Sequence, residues 1–513
     1  MLESAMYKRG GFHVMRGTKK KALAVLSTLA LVTGLLAGCG SDEGQAAEGG
    51  VQNISIAIAQ VGDVPSKGNE VQQKIEAFTN TKLDIQWIPA SAYNDKINVM
   101  IASSDMPKIV KVQYNPTVTS AMRNDVFWEI GPLLKDYKNL SAQNERFFNN
   151  IKVDGKIYGV PVFSDIARAT VIYRKDWFDK LNLKVPTTPD EWYETIKTLA
   201  TSDPDGDGQD NTFGLMLFKK YNEDQYSFTT RLGVSFGAPN KWKVEDDGSF
   251  TPEFMTPEYM QVLDLLKRLY DEKLLNQDFA VFDSTEAEKK YDSGVVGMRV
   301  GVAQNGKSQQ ERLSKNDPDG VVDIAGLLGS NGDRVAGQTG NSGILAFPKA
   351  TVKSEEELKS LLSFLDKLME PEMATLLMRG IEDKHYTKVG EDEVEMSDFD
   401  AFQREVKPYR DNLPYVEGYN VPKLKDTELG VKGTELAKEL AEHAVPNPAL
   451  TLYSPTYGDR GADLDQMIAD AQTKYIMGKI DENGWKQEIE NWANAGGTKI
   501  REEYAEDYKK QAQ

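Results

Sequence analysis

Apolar and polar positions alternate along ISIAIAQ (54–60), where Ile54, Ile56 and Ile58 recur every second residue, a period that predicts a buried strand. The period then changes. Val71, Ile75 and Phe78 fall at helical spacing and predict a helix with one apolar face. KLDIQWI (82–88) predicts a second strand, closed by Pro89; Tyr93, Ile97 and Ile101 predict a second helix; and KIVKV (108–112), after Pro107, predicts a third strand. Strand, helix, strand, helix, strand at this spacing predicts an α/β protein with a parallel sheet between helices. Ligands of such sheets gather at the carboxyl ends of the strands, here 60–63 and 113–115.

Further helices announce their own starts. Thr188-Pro189-Asp190-Glu191 is a capping box with proline at the first helical position, followed by Trp192, Ile196 and Leu199 on one face. Ser354 and Glu357 repeat the device ahead of Leu358, Leu361, Leu365 and Leu368. Trp485, Ile489 and Trp492 form a stripe that Gly496-Gly497 should end. The last third of the chain is helix-rich, and 513 residues exceed what one core ordinarily holds, so two or more lobes are expected.

The amino terminus follows different rules. KRGGFHVMRGTKKK is basic, ALAVLSTLALVTGLLAG (22–38) is an uncharged apolar run, and Cys39 follows directly, the layout of a secretory signal. Leu36-Ala37-Gly38-Cys39 resembles the bacterial lipobox, so residues 1–38 are read as a lipoprotein signal peptide and Cys39 as the acylated first residue after cleavage. Met15 offers an alternative start. Residues 39–50 are a flexible linker poor in apolar side chains. Cys39 is the only cysteine, so no intramolecular disulfide braces the body outside the cell. Beyond residue 38 the chain carries 55 basic and 78 acidic residues, a formal charge of −23. That balance excludes a broad nucleic-acid footprint, which needs clustered Lys and Arg.

Candidate chemistry is sparse. DPDGDGQDNTFG (203–214) places Asp203, Asp205, Asp207, Gln209 (through its carbonyl) and Asn211 at the first, third, fifth, seventh and ninth positions of a calcium loop, with Gly208 at the sixth. The twelfth position holds Gly214 instead of a glutamate, leaving Thr212 or water to complete the shell. Spacing alone leaves a cation site and a solvated Asx turn both open. Only three histidines occur in the chain. GVSFG (233–237) fits a nucleophile elbow, but Pro239 follows too soon for the helix that motif requires, and a glycine-bearing loop is the better reading for Ser235. No P-loop and no G-x-G-x-x-G occurs. Aromatic residues are plentiful, with 7 Trp and 21 Tyr, and aromatic faces stack on sugar rings. Trp242, in the polar segment APNKWKVEDDGS, is the best single platform; Tyr114, Phe163, Tyr415 and Tyr419 sit beside turns as weaker ones.

DGKIYGVP (154–161), YRKDWFDKLNLKVPTTPDEWYE (173–194), DPDGDGQDNTFG, FGAPNKW (236–242), LYDEKLLNQDFA (269–280), GIEDKHYTKV (380–389) and AGGTKIREEY (495–504) together resemble family 1 extracellular solute-binding proteins of ABC importers, in their Gram-positive lipoprotein branch. The resemblance implies a two-lobed periplasmic-binding-protein-like fold of type II, each lobe a mainly parallel sheet flanked by helices. It implies a carbohydrate ligand, an oligosaccharide by expectation, held by lobe closure and passed unchanged to a permease energised by a cytoplasmic ATPase. The receptor would be a monomer, tethered by lipid to the outer face of the cell membrane. A calcium ion on Asp203, Asp205, Asp207, Gln209, Asn211 and Thr212 is also implied, although Gln209 and Asn211 depart from the commoner lysine and aspartate. Lobe boundaries implied by position are 51–163 with 302–347, and 164–301 with 348–513. Ligand contacts would come from Asp63, Gln113, Tyr114, Asn115 and Asn341 on the first lobe and from Trp242 and Arg299 on the second. A secreted polysaccharide-degrading enzyme with a structural calcium loop is the rival reading.

Overall fold

The computed structural model describes residues 51–60, 64–223 and 227–511; the leader, Cys39, the linker and Asp63 lie outside them. Body residues 51–513 form one unit. Its first sheet runs in the order Thr81–Pro89, Gln52–Gln60, Ile109–Val112, Asn341–Ala346, Gly159–Phe163. The first three strands are parallel, with Gln52 opposite Thr81, Gln60 opposite Pro89 and Ile56 opposite Ile109. Ile54, Ile56, Ala57 and Ile58 are all buried, as expected of parallel strands covered on both faces. The intervening helices are Glu70–Thr79, capped by the Asn69 side chain, and Tyr93–Ser103. Asn80 and Ser104 stop them in the left-handed region at φ 56° and 58°.

Asn341–Ala346 arrives from far along the chain and pairs antiparallel with both neighbours. The second sheet, Met298–Val302, Ala169–Arg174, Val322–Gly326, is antiparallel throughout. The expectation of a mainly parallel sheet in each lobe therefore fails for the second lobe. Its strands find partners more than a hundred residues away, so no local βαβ spacing sets their direction. Alternate residues of the central strand face opposite ways: Val171 joins the large second core, whereas Ile172 packs with Leu313, Val322 and Ile324 beneath Leu429 and Leu436.

Two cores define the lobes. The first holds buried side chains from 54–166 and 344–413; the second draws on 167–335 and 440–504. The expected boundaries differ in two places. Residues 302–335 belong with the second lobe, because Val322–Gly326 pairs with its central strand. Residues 348–413 belong with the first, because Leu358, Leu361, Leu362 and Leu365 of the Glu355–Lys367 helix, and Leu377, seal that core. The chain consequently crosses between lobes three times, near 163–169, 335–344 and 413–429. The capping box forms as expected: Thr188 accepts from the Glu191 amide, and Glu191 reaches back to the Thr188 amide. Gly496, at φ 144°, breaks the Trp492 stripe before the Thr498–Gln511 helix.

One buried cation fixes the third crossing to the first sheet. Lys111 lies in the Ile109–Val112 strand, 6% exposed, and its Nζ donates to the Asp411 carbonyl at 2.8 Å, to Asn412 Oδ1 at 3.2 Å and to Ser342 Oγ at 3.4 Å. Asn412 in turn donates to the Ala59 carbonyl at 2.8 Å. Burial pushes the ammonium pKa down to about 8, against a smaller upward pull from Asp411. Among the described residues no helix is long and apolar enough to cross a membrane.

Two outcomes follow from this packing. Phe163, 2% exposed and edge-on to Phe147 at 5.0 Å, should cost about 3–5 kcal/mol of unfolding free energy when changed to Ala, read by urea denaturation. Lys111 keeps its proton less well folded than unfolded, so the unfolded chain binds more protons between the two pKa values. Stability relative to Lys111→Ala should therefore be flat at lower pH and rise with pH from about 8 toward the ordinary 10.5. Urea midpoints for both chains on either side of that window check the sign.

Candidate ligand cleft

The three crossings converge at the carboxyl ends of the first-lobe strands. The first contributes Asp165, which accepts from Gln304 Nε2 of the second lobe at 2.9 Å and lies 3.5 Å from Arg168 Nη1. Burial raises the Asp165 carboxyl above its usual range; Arg168 and Gln304 oppose this, and the negative charge of Glu417 adds to it. Arg168 Nε is buried without a hydrogen-bond partner. The second crossing brings Asn341 and Ser342. The third brings Asp411, held by Lys407 at 2.6 Å and Arg410 at 3.0 Å, and then Tyr415. Burial raises the Tyr415 phenol, with Arg410 pulling it down and Asp411, Asp165 and Glu417 pushing it up. Guanidinium, carboxylate, amide and phenol groups thus face one junction, a donor and acceptor set suited to hydroxyl-rich ligands.

Glu417 joins this junction to a cavity of about 1150 Å3 between the Pro371–Arg379 helix of the first lobe and the Glu428–Glu442 helix of the second. Its carboxylate is gripped by Arg379 at 2.6 and 3.0 Å. Lys74, Glu372, Tyr386, Val431 and Lys438 line other parts of the cavity.

The residues expected from sequence are dispersed. Gln113 is exposed at the end of its strand; with Asn341 and Tyr415 it belongs to the elements that meet at the junction. Asn341 is tied locally, its Oδ1 accepting from the Gly343 amide at 3.0 Å and its Nδ2 donating to the Thr339 carbonyl at 3.1 Å. Tyr114 donates to the Ile151 carbonyl at 2.5 Å, and burial raises its phenol pKa. Asn115 caps the Pro116–Arg123 helix, accepting from the Val118 amide at 2.9 Å. Tyr419 donates to Asn139 Oδ1 at 3.1 Å. Phe163 is a core residue.

The two second-lobe candidates are likewise engaged. Trp242 stands not in a free loop but in a strand, Trp242–Val244, its ring 5.1 Å from Tyr504 and 6.3 Å from Phe250. Arg299 pairs with Glu288 at 2.7 Å and lies 4.6 Å over the Tyr291 ring. Ser235 ends the Phe228–Ser235 helix, where a loop was expected, and donates to the Leu232 carbonyl at 2.8 Å. Sequence reading missed Lys111, Asp165, Arg168, Gln304 and Arg410. One signal was visible: a lysine inside the apolar strand IVKV.

The acidic loop follows the Pro189–Thr201 helix. One carboxylate oxygen from each of Asp203, Asp205 and Asp207 lies within 4.8 Å of the other two. Gly206 and Gly208, at φ 74° and 77°, turn their amides onto Asp203 at 3.0 and 3.2 Å. Asp207 accepts from the Gln209 amide at 2.7 Å and from Asn211 Nδ2 at 2.9 Å. Burial raises the Asp205 carboxyl, reinforced by its bond to Asp203 and by both neighbouring charges. Thr212 is buried, its hydroxyl donating to the Leu199 carbonyl at 3.3 Å. The glycine at position twelve has a steric cause: a Cβ on Gly214 would stand 2.4 Å from the Ile196 carbonyl oxygen. The loop's exit is pressed against the preceding helix, so no glutamate fits there.

Comparison with known proteins agrees with this architecture. The profile of the family described as bacterial extracellular solute-binding protein matches residues 62–375. Polygalacturonan/rhamnogalacturonan-binding protein YtcQ of Bacillus subtilis (strain 168) is 36% identical over 506 residues, covering 96% of this chain and 99% of that protein. Lipoprotein LipO of the same organism is 34% identical over 490 residues, covering 92% and 95%. A solved extracellular solute-binding protein from Bifidobacterium longum subsp. infantis shares the fold with a TM-score of 0.69 at 15% identity, over 91% of this chain and all of that one. With a profile spanning most of its length and relatives matched nearly end to end, this chain belongs to the bacterial extracellular solute-binding proteins.

Proposed function

We propose that the chain is a lipid-anchored receptor that captures an oligosaccharide at the junction of its lobes and delivers it, unaltered, to an ABC permease driven by a cytoplasmic ATPase. The observation that carries this reading is the convergence of Lys111, Asp165, Arg168, Gln304, Arg410 and Tyr415 from both lobes and their crossings on one place. A ligand bridging those groups favours the arrangement in which they face it together, by as much as it binds that arrangement better. Acylated Cys39 would hold the receptor at the outer membrane face, two hydrocarbon chains being what stable anchoring requires. Likeness to the polygalacturonan/rhamnogalacturonan-binding relative makes uronate-containing oligosaccharides the first to test. Arg168 and Arg410 supply cations a uronate carboxylate can meet.

Calcium on Asp203, Asp205 and Asp207, with the Gln209 carbonyl and Asn211, would brace the second lobe away from the ligand. Three carboxylates drawn together at a glycine-rich turn support that role, since an oxygen-only set selects a hard cation. The bond from Thr212 to Leu199 leaves the sixth expected ligand to another oxygen.

The receptor should bind an oligogalacturonide or a neutral oligosaccharide saturably in calorimetry and return it intact on chromatography; shortened products would establish the enzyme reading instead. Tyr415→Ala and Arg410→Ala should each weaken that binding at least about tenfold, the effect of losing a central contact. Chelation should lower the melting temperature and added calcium restore it, whereas Asp205→Ala should show neither response.

A further inference from the structure

Beyond the crossings, one group of side chains spans the lobes. Arg123 ends the Pro116–Arg123 helix of the first lobe. Its guanidinium is held within that lobe by Asp154, through Nε at 3.1 Å and Nη2 at 2.8 Å. The same Nη2 donates to Asp507 Oδ2 at 2.9 Å, and the guanidinium carbon stands 4.9 Å over the Tyr453 ring. Asp507 belongs to the Thr498–Gln511 helix, whose Ile500 and Tyr504 are buried in the second core. Tyr453 follows Leu452, which packs on that core too. The Arg123 and Asp507 side chains are 18% and 10% exposed, so solvent screens the pair weakly.

We propose that Arg123, Asp507 and Tyr453 form a reversible latch between the lobes that sets their resting angle before any ligand arrives. Other contacts between the lobes behave differently. Asn150 donates to the Gln338 and Thr339 carbonyls of the second crossing. Arg146 meets the Ala441 and Glu442 carbonyls at the end of the Glu428–Glu442 helix, next to Ala444, which packs against both cores. Contacts at or beside the crossings move least when the lobes rotate about them. Arg123 and Asp507 stand on the Pro116–Arg123 and Thr498–Gln511 helices, which form no part of a crossing, and the latch requires that rotation part them.

Each end also keeps a partner when they separate. Arg123 retains the Asp154 fork, and Asp507 retains the Tyr453 amide at 2.9 Å and Gln511 at 3.3 Å. Release therefore strands no buried charge, the event that makes most broken ion pairs expensive. What is lost is one charge-assisted bond and one ring contact, a scale that shifts an equilibrium about five- to tenfold without locking it.

The test needs no ligand. Cys39 is the sole cysteine, so the full chain with Cys39→Ser can carry one spin label on each lobe at the exposed positions Ser103→Cys and Thr201→Cys. Pulsed electron-spin distance measurements then read the spacing between lobes. Arg123→Ala and Asp507→Asn should each move the populations about five- to tenfold toward a second spacing. The double variant should go no further than either single one. A distribution unchanged in both single variants, or shifts that add in the double, would overturn the latch. Asp507→Asn, nearly isosteric, keeps the question answerable if the alanine variant unfolds, and melting curves identify that case. Because no sugar enters, the result stands apart from the ligand assignment.

Discussion

The molecule is organised by the requirement that one chain cross three times between two separately packed cores. Each crossing must leave one sheet, traverse a region where neither core can bury it, and enter the other. Polar side chains collect there because backbone and side-chain groups at a junction need partners that an apolar core cannot offer. Lys111 shows the principle most clearly. Its ammonium loses solvation in the first sheet and recovers three acceptors, two of them from the segment that begins the third crossing. The same bonds hold Asn412 against the end of the Gln52–Gln60 strand and so place Arg410, Asp411 and Tyr415 at the mouth of the junction.

Binding and motion are consequently built from the same parts. Asp165, Arg168 and Tyr415 stand on the crossings, and Gln304 and Arg410 stand beside them on the two lobes, so a ligand held by all of them would couple its contacts to the lobe angle. Glu417, gripped by Arg379 on the first lobe, extends that coupling into the cavity beside the third crossing. The Arg123 group acts from outside the crossings, and the acidic loop is packed on the Pro189–Thr201 helix of the second lobe.

Local patterns carried much of the fold. The strand and helix periods over 54–112, the caps at Thr188 and Ser354 and the break at Gly496 all involve residues within a few positions of one another, and they appear in the structure where the sequence places them. Sites read from residue type fared differently. Trp242 looked free because its partners, Phe250 and Tyr504, come from a hairpin and from a helix more than two hundred residues on. Asn115 and Arg299 are taken up by nearer partners: the Val118 amide of the helix that Asn115 caps uses the first, and Glu288 with Tyr291 uses the second.

The amino-acid order alone therefore determined the alternation of strands and helices over 54–112, the spacing of the acidic loop and the family's recurring segments. Each depends on neighbours along the chain. Only the tertiary structure decided the antiparallel second sheet, the division of residues between the two cores, the glycine at position 214 forced by Ile196, and the gathering of Asp165, Arg168, Gln304 and Lys111. Those depend on which distant segments share a core, and no local period encodes that.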